Sequence, residues 1–194
     1  LNRVKGSYEE SLLKSRVALE QSIKIKNNDL IANSYLIIAS NFDELTEPLK
    51  ALHYYNLGLH YVNKTNNYAL KNQFYNNLGN IYCFDKKQYD KGIFYYQKSL
   101  QLSQTVLDRK QIFLTKLNIT WAYFDIGKFI EGFSYLRYIN KYQSIDGDES
   151  TIVALNMLNG MYYSFINNID KATFYFEKAI KLGTNGNEKS DLSY

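Results

Sequence analysis

The side chains best suited to chemistry in this chain are carboxamides and aromatic rings, and the chemistry they suit is recognition. Asn76, Asn77 and Asn80 fall within five residues, Asn118 stands just before Trp121 and Phe124, and Asn156 precedes Tyr163. A carboxamide both donates and accepts, so it can pair with the N–H and C=O of a peptide backbone whatever side chains that peptide carries. Phe84, Trp121 and Phe124 would add apolar contact area beside these amides.

Other reaction types lack their residues. No nucleophile–base pair, phosphate-cradling glycine loop or dinucleotide fingerprint is present, so no catalytic residue and no cofactor is expected. His53 and His60 are seven residues apart, about 10.5 Å along a helix at 1.5 Å per residue, too far to share one metal ion. Cys83 is the only cysteine, which leaves no thiolate metal site and no intramolecular disulfide. It reads as a small packing residue, which favours the cytoplasm slightly, the alternative being a periplasmic sensor region of a membrane-anchored regulator. Asp43, Glu44 and Glu47 read as partners of helix ends. Asp146-Gly147-Asp148-Glu149 lacks the spacing of a calcium loop and reads as the start of a helix.

Charge and hydropathy narrow the partners. The net charge of +4 comes from 23 basic and 19 acidic residues with no block of five like charges, and only Arg3, Arg16, Arg109 and Arg137 are arginines. A nucleic-acid reader would concentrate such residues on one face, so direct nucleic-acid binding is not expected. No run of 18 apolar residues offers a membrane span.

The elements that must position these residues are helices. Pro occurs once and Gly ten times in 194 residues, and 45 % of residues are apolar. Small residues recur at Ser11, Ala51, Gly92, Gly132 and Ala172, spaced 40, 41, 40 and 40 apart. A fixed period of this length marks an array of helical hairpins. In the clearest unit, Tyr75, Leu78, Gly79 and Tyr82 share one helical face, and Gly92, Tyr96, Ser99 and Leu100 share a face of the next helix. Gly79 and Gly92 fall where two helix backbones must approach closely.

Tyr75-x-x-Leu78-Gly79-x-x-Tyr82 followed by Gly92-x-x-x-Tyr96 resembles the tetratricopeptide repeat. An aromatic replaces the usual first Trp, Gly replaces the usual Ala, and the closing Pro is absent. The period of about 40 exceeds the usual 34, which implies longer helices. The resemblance implies an all-α fold: an α-solenoid, a right-handed superhelix of hairpins. It would hold an N-terminal half unit over residues 1–26 and full units over about 28–64, 69–105, 110–143 and 149–183, one domain through residue 183. Residues 184–194, beginning Thr184-Asn185-Gly186-Asn187, read as a loop leading towards a further unit.

In such stacks the first helix of each hairpin lines a concave groove. That implies groove positions at Asn76, Asn77, Asn80 and Phe84, then Leu117, Asn118, Trp121 and Phe124, then Asn156, Met157, Gly160 and Tyr163, with Asn33, Ile37, Ser40 and Glu44 in the first unit. The implied function is a non-enzymatic module that binds a peptide or protein segment. Long repeats of this kind are similar to the sensor regions of bacterial signalling and transcription regulators. A structural scaffold is the alternative, pairing with a second copy through an uncapped end left bare at Ala172, Phe176 and Ala179. The regulatory part of a peptide-controlled phosphatase is a third.

Overall fold

The computed structural model describes the backbone of residues 2–142 and 148–191, and side chains over 7–142 and 148–184. Every element among them is helical: α1 (Asn2–Lys24), α2 (Asn28–Glu44), α3 (Pro48–Val62), α4 (Tyr68–Asn80), a π-turn (Ile81–Asp85), α5 (Tyr89–Thr105), α6 (Arg109–Asp125), α7 (Phe129–Lys141), α8 (Glu149–Phe165) and α9 (Ile169–Asp191). Asp146 and Gly147 lie outside the described residues, as do 192–194 of the proposed tail. No described helix is long and apolar enough to cross a membrane.

The helix starts follow the same period as the small residues. Asn27, Asn67, Asp108 and Asp148 each cap a first helix, their side-chain oxygens accepting from the N–H of Leu30, Leu70, Gln111 and Thr151 at 3.1, 3.0, 3.0 and 2.8 Å. A cap of this kind satisfies one of the four N–H groups that a helix start leaves unpaired. Asp148 also accepts from the Ser150 and Thr151 hydroxyls, and these bonds hold its carboxyl down at about 2. Pro48 occupies the first turn of α3, where it sacrifices no backbone bond. Each first helix then closes through one residue in the left-handed region: Thr46, Lys87, Gly127 and Asn167, at φ +58°, +53°, +73° and +58°.

The single spacing of 41 has a structural location. From the small residue of the first helix to the left-handed residue is seven positions in three hairpins (39 to 46, 120 to 127, 160 to 167) and eight in the second (79 to 87). The turn itself keeps its geometry, so the surplus residue is absorbed inside the helix as the π-turn Ile81–Asp85.

The chain divides into two compact units, Leu1–Leu102 and Ser103–Tyr194. In a stack each repeat touches only its neighbours, so few long-range contacts bind its parts into one body. The first unit buries Ala32, Leu36, Ile38, Phe42, Tyr55, Phe74, Leu78 and Ile81. The second buries Phe113, Leu117, Phe124, Leu136, Ile139, Leu155 and Leu158. Glycines make room for rings. A Cβ on Gly79 would enter the Tyr96 ring, one on Gly160 the Phe176 ring, and one on Gly132 the Phe124 ring.

Two expectations near the C-terminus are corrected. Helix α9 continues to Asp191 through the segment read as a loop. A lone Gly costs a helix about 1 kcal/mol relative to Ala, and without Pro, Gly183 and Gly186 do not end it. Ala172 and Ala179 are not bare: they lie buried, and the Phe176 ring covers Gly160. The exposed apolar residues of α9 are Ile169, Phe174 and Ile180, at 60 %, 58 % and 63 %.

Candidate partner-binding surface

The carboxamides singled out by the sequence divide into those spent on the fold and those left at the surface. Asn76 Nδ2 donates to Ser99 Oγ at 2.9 Å and to the Asn72 carbonyl at 3.2 Å, while the Ser99 hydroxyl donates to Asn72 Oδ1. Asn80 Oδ1 accepts from the Tyr96 hydroxyl at 2.6 Å. Burial pushes the Tyr96 phenol well above its usual range, so it stays a donor to Asn80. Asn77 is half-buried and hydrogen-bonds with Tyr55, whose phenol burial pushes up to about 12. Phe84 is half-buried within the π-turn.

In the second unit Asn118 and Trp121 are both partly exposed, three residues apart on α6 and therefore on one face, and Trp121 also packs part of its ring against the core of that unit. Two neighbours do not join them. Phe124 is 2 % exposed, its ring against Phe129 at 4.8 Å in the space that Gly132 leaves. Asn156 is 5 % exposed and donates back to the Ile152 carbonyl at 2.7 Å. Leu117 and Gly160 are likewise buried. Tyr163 is half-buried and stacks on Tyr175 of its own hairpin at 5.5 Å.

Comparing equivalent positions explains why some amides turn inward. Tyr55 pairs its hydroxyl with Ser40 at 3.1 Å, and Tyr96 pairs with Asn80. At the same two positions the third hairpin has Leu136 and Trp121, and the fourth has Phe176 and Met161. Where the second helix carries a phenol, the first carries a polar partner, as a buried hydroxyl requires. Where it carries an apolar side chain, the first carries a largely apolar one too. A similar exchange occurs at Asn159, which stands where Ile38, Leu78 and Ile119 stand elsewhere. It trades two amide bonds with Asn140, at 2.8 and 2.9 Å.

A second recurring feature runs along the hairpins. Phe42 stacks on Tyr54, Tyr82 on Tyr95, Tyr123 on Tyr135 and Tyr163 on Tyr175, at 5.4, 5.6, 6.1 and 5.5 Å. Lys50, Lys91 and Lys171, at equivalent positions, place an ammonium over the first ring of three pairs. Glu131 takes that position in the third hairpin, where Lys116 lies over Tyr135 and Tyr138 instead. Each such contact is worth roughly 0.5–1 kcal/mol at an exposed site. These lysines and tyrosines were missed as a set, although their 40-residue recurrence is visible in the sequence. His53 and His60 sit edge-on to Tyr54 and Tyr61. Among the described residues no three His, Cys, Asp or Glu side chains converge on a metal position.

One carboxyl in the first unit is strongly perturbed. Burial, with Asp85 and Glu44 adding repulsion, pushes Asp43 up to about 6 at the C-terminal end of α2. The folded state therefore favours the protonated acid. Stability falls as pH rises from about 4 to 6, and above 6 the ionised group opposes folding. Asp43→Asn is expected to raise stability at pH 7 by about 1 kcal/mol, a figure discounted for the half of the group that faces water. It should leave stability at pH 4 unchanged. Thermal unfolding at the two pH values checks this.

With this geometry in hand, the sequence pattern of the tetratricopeptide repeat matches residues 73–105 and 155–182. The chain carries tetratricopeptide repeats. The two matched segments are the second and fourth hairpins, and the first and third share their caps, turns and ring pairs. No curated protein sequence matches the chain. Solved structures do. BtubC (BKLC) from P. vanneervenii has a TM-score of 0.77 at 18 % identity, over 95 % of this chain and 76 % of that one. A putative kinesin light chain of Podospora anserina with nearly identical TPR-like repeats has a TM-score of 0.71 at 11 % identity, over 96 % and 92 %. A Rap protein complexed with Competence and Sporulation Factor has a TM-score of 0.65 at 13 % identity, over 93 % of this chain and 60 % of that one. At such identities these likenesses show the fold: tetratricopeptide-like helical hairpins stacked as an α-solenoid. Repeats of this kind serve as protein-interaction scaffolds.

Proposed function

We propose that these tetratricopeptide repeats hold a peptide or protein segment against their first helices, and that the chain is the sensor or interaction part of a larger bacterial regulator. The observation that carries the reading is the pair Asn118 and Trp121. A partly exposed amide beside a partly exposed indole on one face of α6 offers backbone pairing and an apolar anchor together. A structural relative bound to Competence and Sporulation Factor supports the idea that such repeats receive a partner.

The test is a random peptide library selected on the chain, with bound peptides then measured against variants. Asn118→Ala and Trp121→Ala should each weaken binding by about tenfold or more, since truncating an interface anchor commonly costs more than 1 kcal/mol. Helix content should be unchanged. Unchanged affinity in both variants would refute the assignment. A specific observation favours a second reading, a self-associating adaptor. Ile169 and Ile180 are exposed on one face of α9, and Ile180 is bare where its counterpart Leu100 is buried. A molecular mass that rises with concentration, and that Ile180→Glu returns to the monomer value, would assign the α9 face to a second copy.

A further inference from the structure

The space between the starts of α2 and α4 holds a carboxylate with an unmet demand. Asp29 stands in the first turn of α2, two residues after the cap Asn27. Its Oδ1 is sealed from water and has no hydrogen-bond partner. The nearby Leu30 N–H is already taken by the Asn27 side chain, and the Leu70 N–H by Asn67. Asp29 lines a cavity of about 300 Å³ together with Leu30, Asn33, Asn67, Leu70 and Gln73. Asn33 and Gln73 occupy equivalent positions of successive first helices, and both are exposed.

This lining has the chemistry of a receptor for one kind of group. With one oxygen held away from water and without a donor, the Asp29 carboxylate is poorly solvated, and a cation bearing N–H donors placed against the part of the side chain that lines the cavity relieves it. Leu30, 46 % exposed, offers apolar surface to a methylene stem. The Asn33 and Gln73 carboxamide oxygens can accept further N–H groups around the same point. A guanidinium brings five donors in a planar fork, whereas an ammonium brings three on a point charge. We infer that this cavity takes a basic side chain, arginine in preference to lysine, from the segment bound on the first helices. The inference rests on the partner-binding reading above and adds to it the charge of one ligand residue.

The test uses small probes and does not need the natural partner. Arginine amide, lysine amide and the uncharged citrulline amide are titrated into the isotopically labelled chain, and the side-chain amide signals of Asn33, Asn67 and Gln73 are followed. Arginine amide should give saturable shifts, lysine amide weaker ones and citrulline amide none. Asp29→Asn, nearly the same shape without the charge, should abolish them. Asn33→Asp, which adds a second carboxylate, should tighten binding several-fold. Absence of saturable shifts, or shifts that survive Asp29→Asn, overturns the inference. Library peptides that bind equally well with and without a basic residue, and equally to Asp29→Asn, contradict it while leaving the partner-binding reading intact. Arginine binding without any library peptide would do the reverse.

Discussion

Gly92→Ala is expected to destabilise the first unit by about 3 kcal/mol, near the upper end of what one added methyl costs in a packed interior. The reason is what the methyl would meet. A Cβ on Gly92 would run into Cys83 Sγ, and it would lie 2.9 Å from both the Cys83 backbone nitrogen and the Gly79 carbonyl oxygen. A side chain can turn aside, but a backbone pinned in a helix cannot. Cys83 belongs to the π-turn, so the surplus residue that makes the spacing 41 is the feature that brings this backbone against α5. At Gly132 the corresponding Cβ meets mainly the Phe124 ring, so Gly132→Ala should cost clearly less. Denaturant unfolding of the two variants side by side measures the difference. Equal costs would mean that the π-turn does not set the close approach.

Phe74→Ala should have a comparable or larger effect, about 3–5 kcal/mol for an aromatic ring removed from a core. Phe74 is fully buried on α4, edge-on to Tyr55 of the preceding hairpin at 6.2 Å and filling the space that Gly58 leaves. It therefore joins two hairpins rather than stabilising one. Because a stack is held by nearest-neighbour interfaces, the loss should fall on cooperativity as well as on the midpoint. Hydrogen exchange should show α1 to α3 opening before the second unit does. Uniform loss of protection along the whole chain would contradict this view of Phe74.

The sequence and the structure agree most where the physics is periodic. The 40-residue recurrence of Ser11, Ala51, Gly92, Gly132 and Ala172 locates every hairpin, because each small residue answers the same need for close helix approach. It registers one extra residue in the second hairpin. It does not say that the extra residue lies in the helix at Ile81–Asp85, since Asp85-Lys86-Lys87-Gln88 reads equally well as a lengthened turn. Binding residues were less legible because offset along a helix does not reveal what a side chain bonds to. Asn76 and Asn80 occupy first-helix positions read as groove-facing, yet Ser99 and Tyr96 consume them. The matched exchange of Ser40–Tyr55, Asn80–Tyr96, Trp121–Leu136 and Phe176–Met161 carries that information, but only to a reader who already has the register. Phe124 and Asn156 turned inward for local reasons, the space at Gly132 and the Ile152 carbonyl one turn back, which accepts the Asn156 amide as well. The Asp29 cavity was hidden behind the ordinary role of an acid in a first turn.

The central claim is that these repeats hold a partner on their first helices. Amide hydrogen exchange of the chain, alone and saturated with a peptide selected from a random library, tests it most directly. The account predicts added protection along α4 and along α6 around Asn118 and Trp121, with α5, α7 and α9 unchanged. Protection confined to the second helices, or to the exposed face of α9, would contradict it.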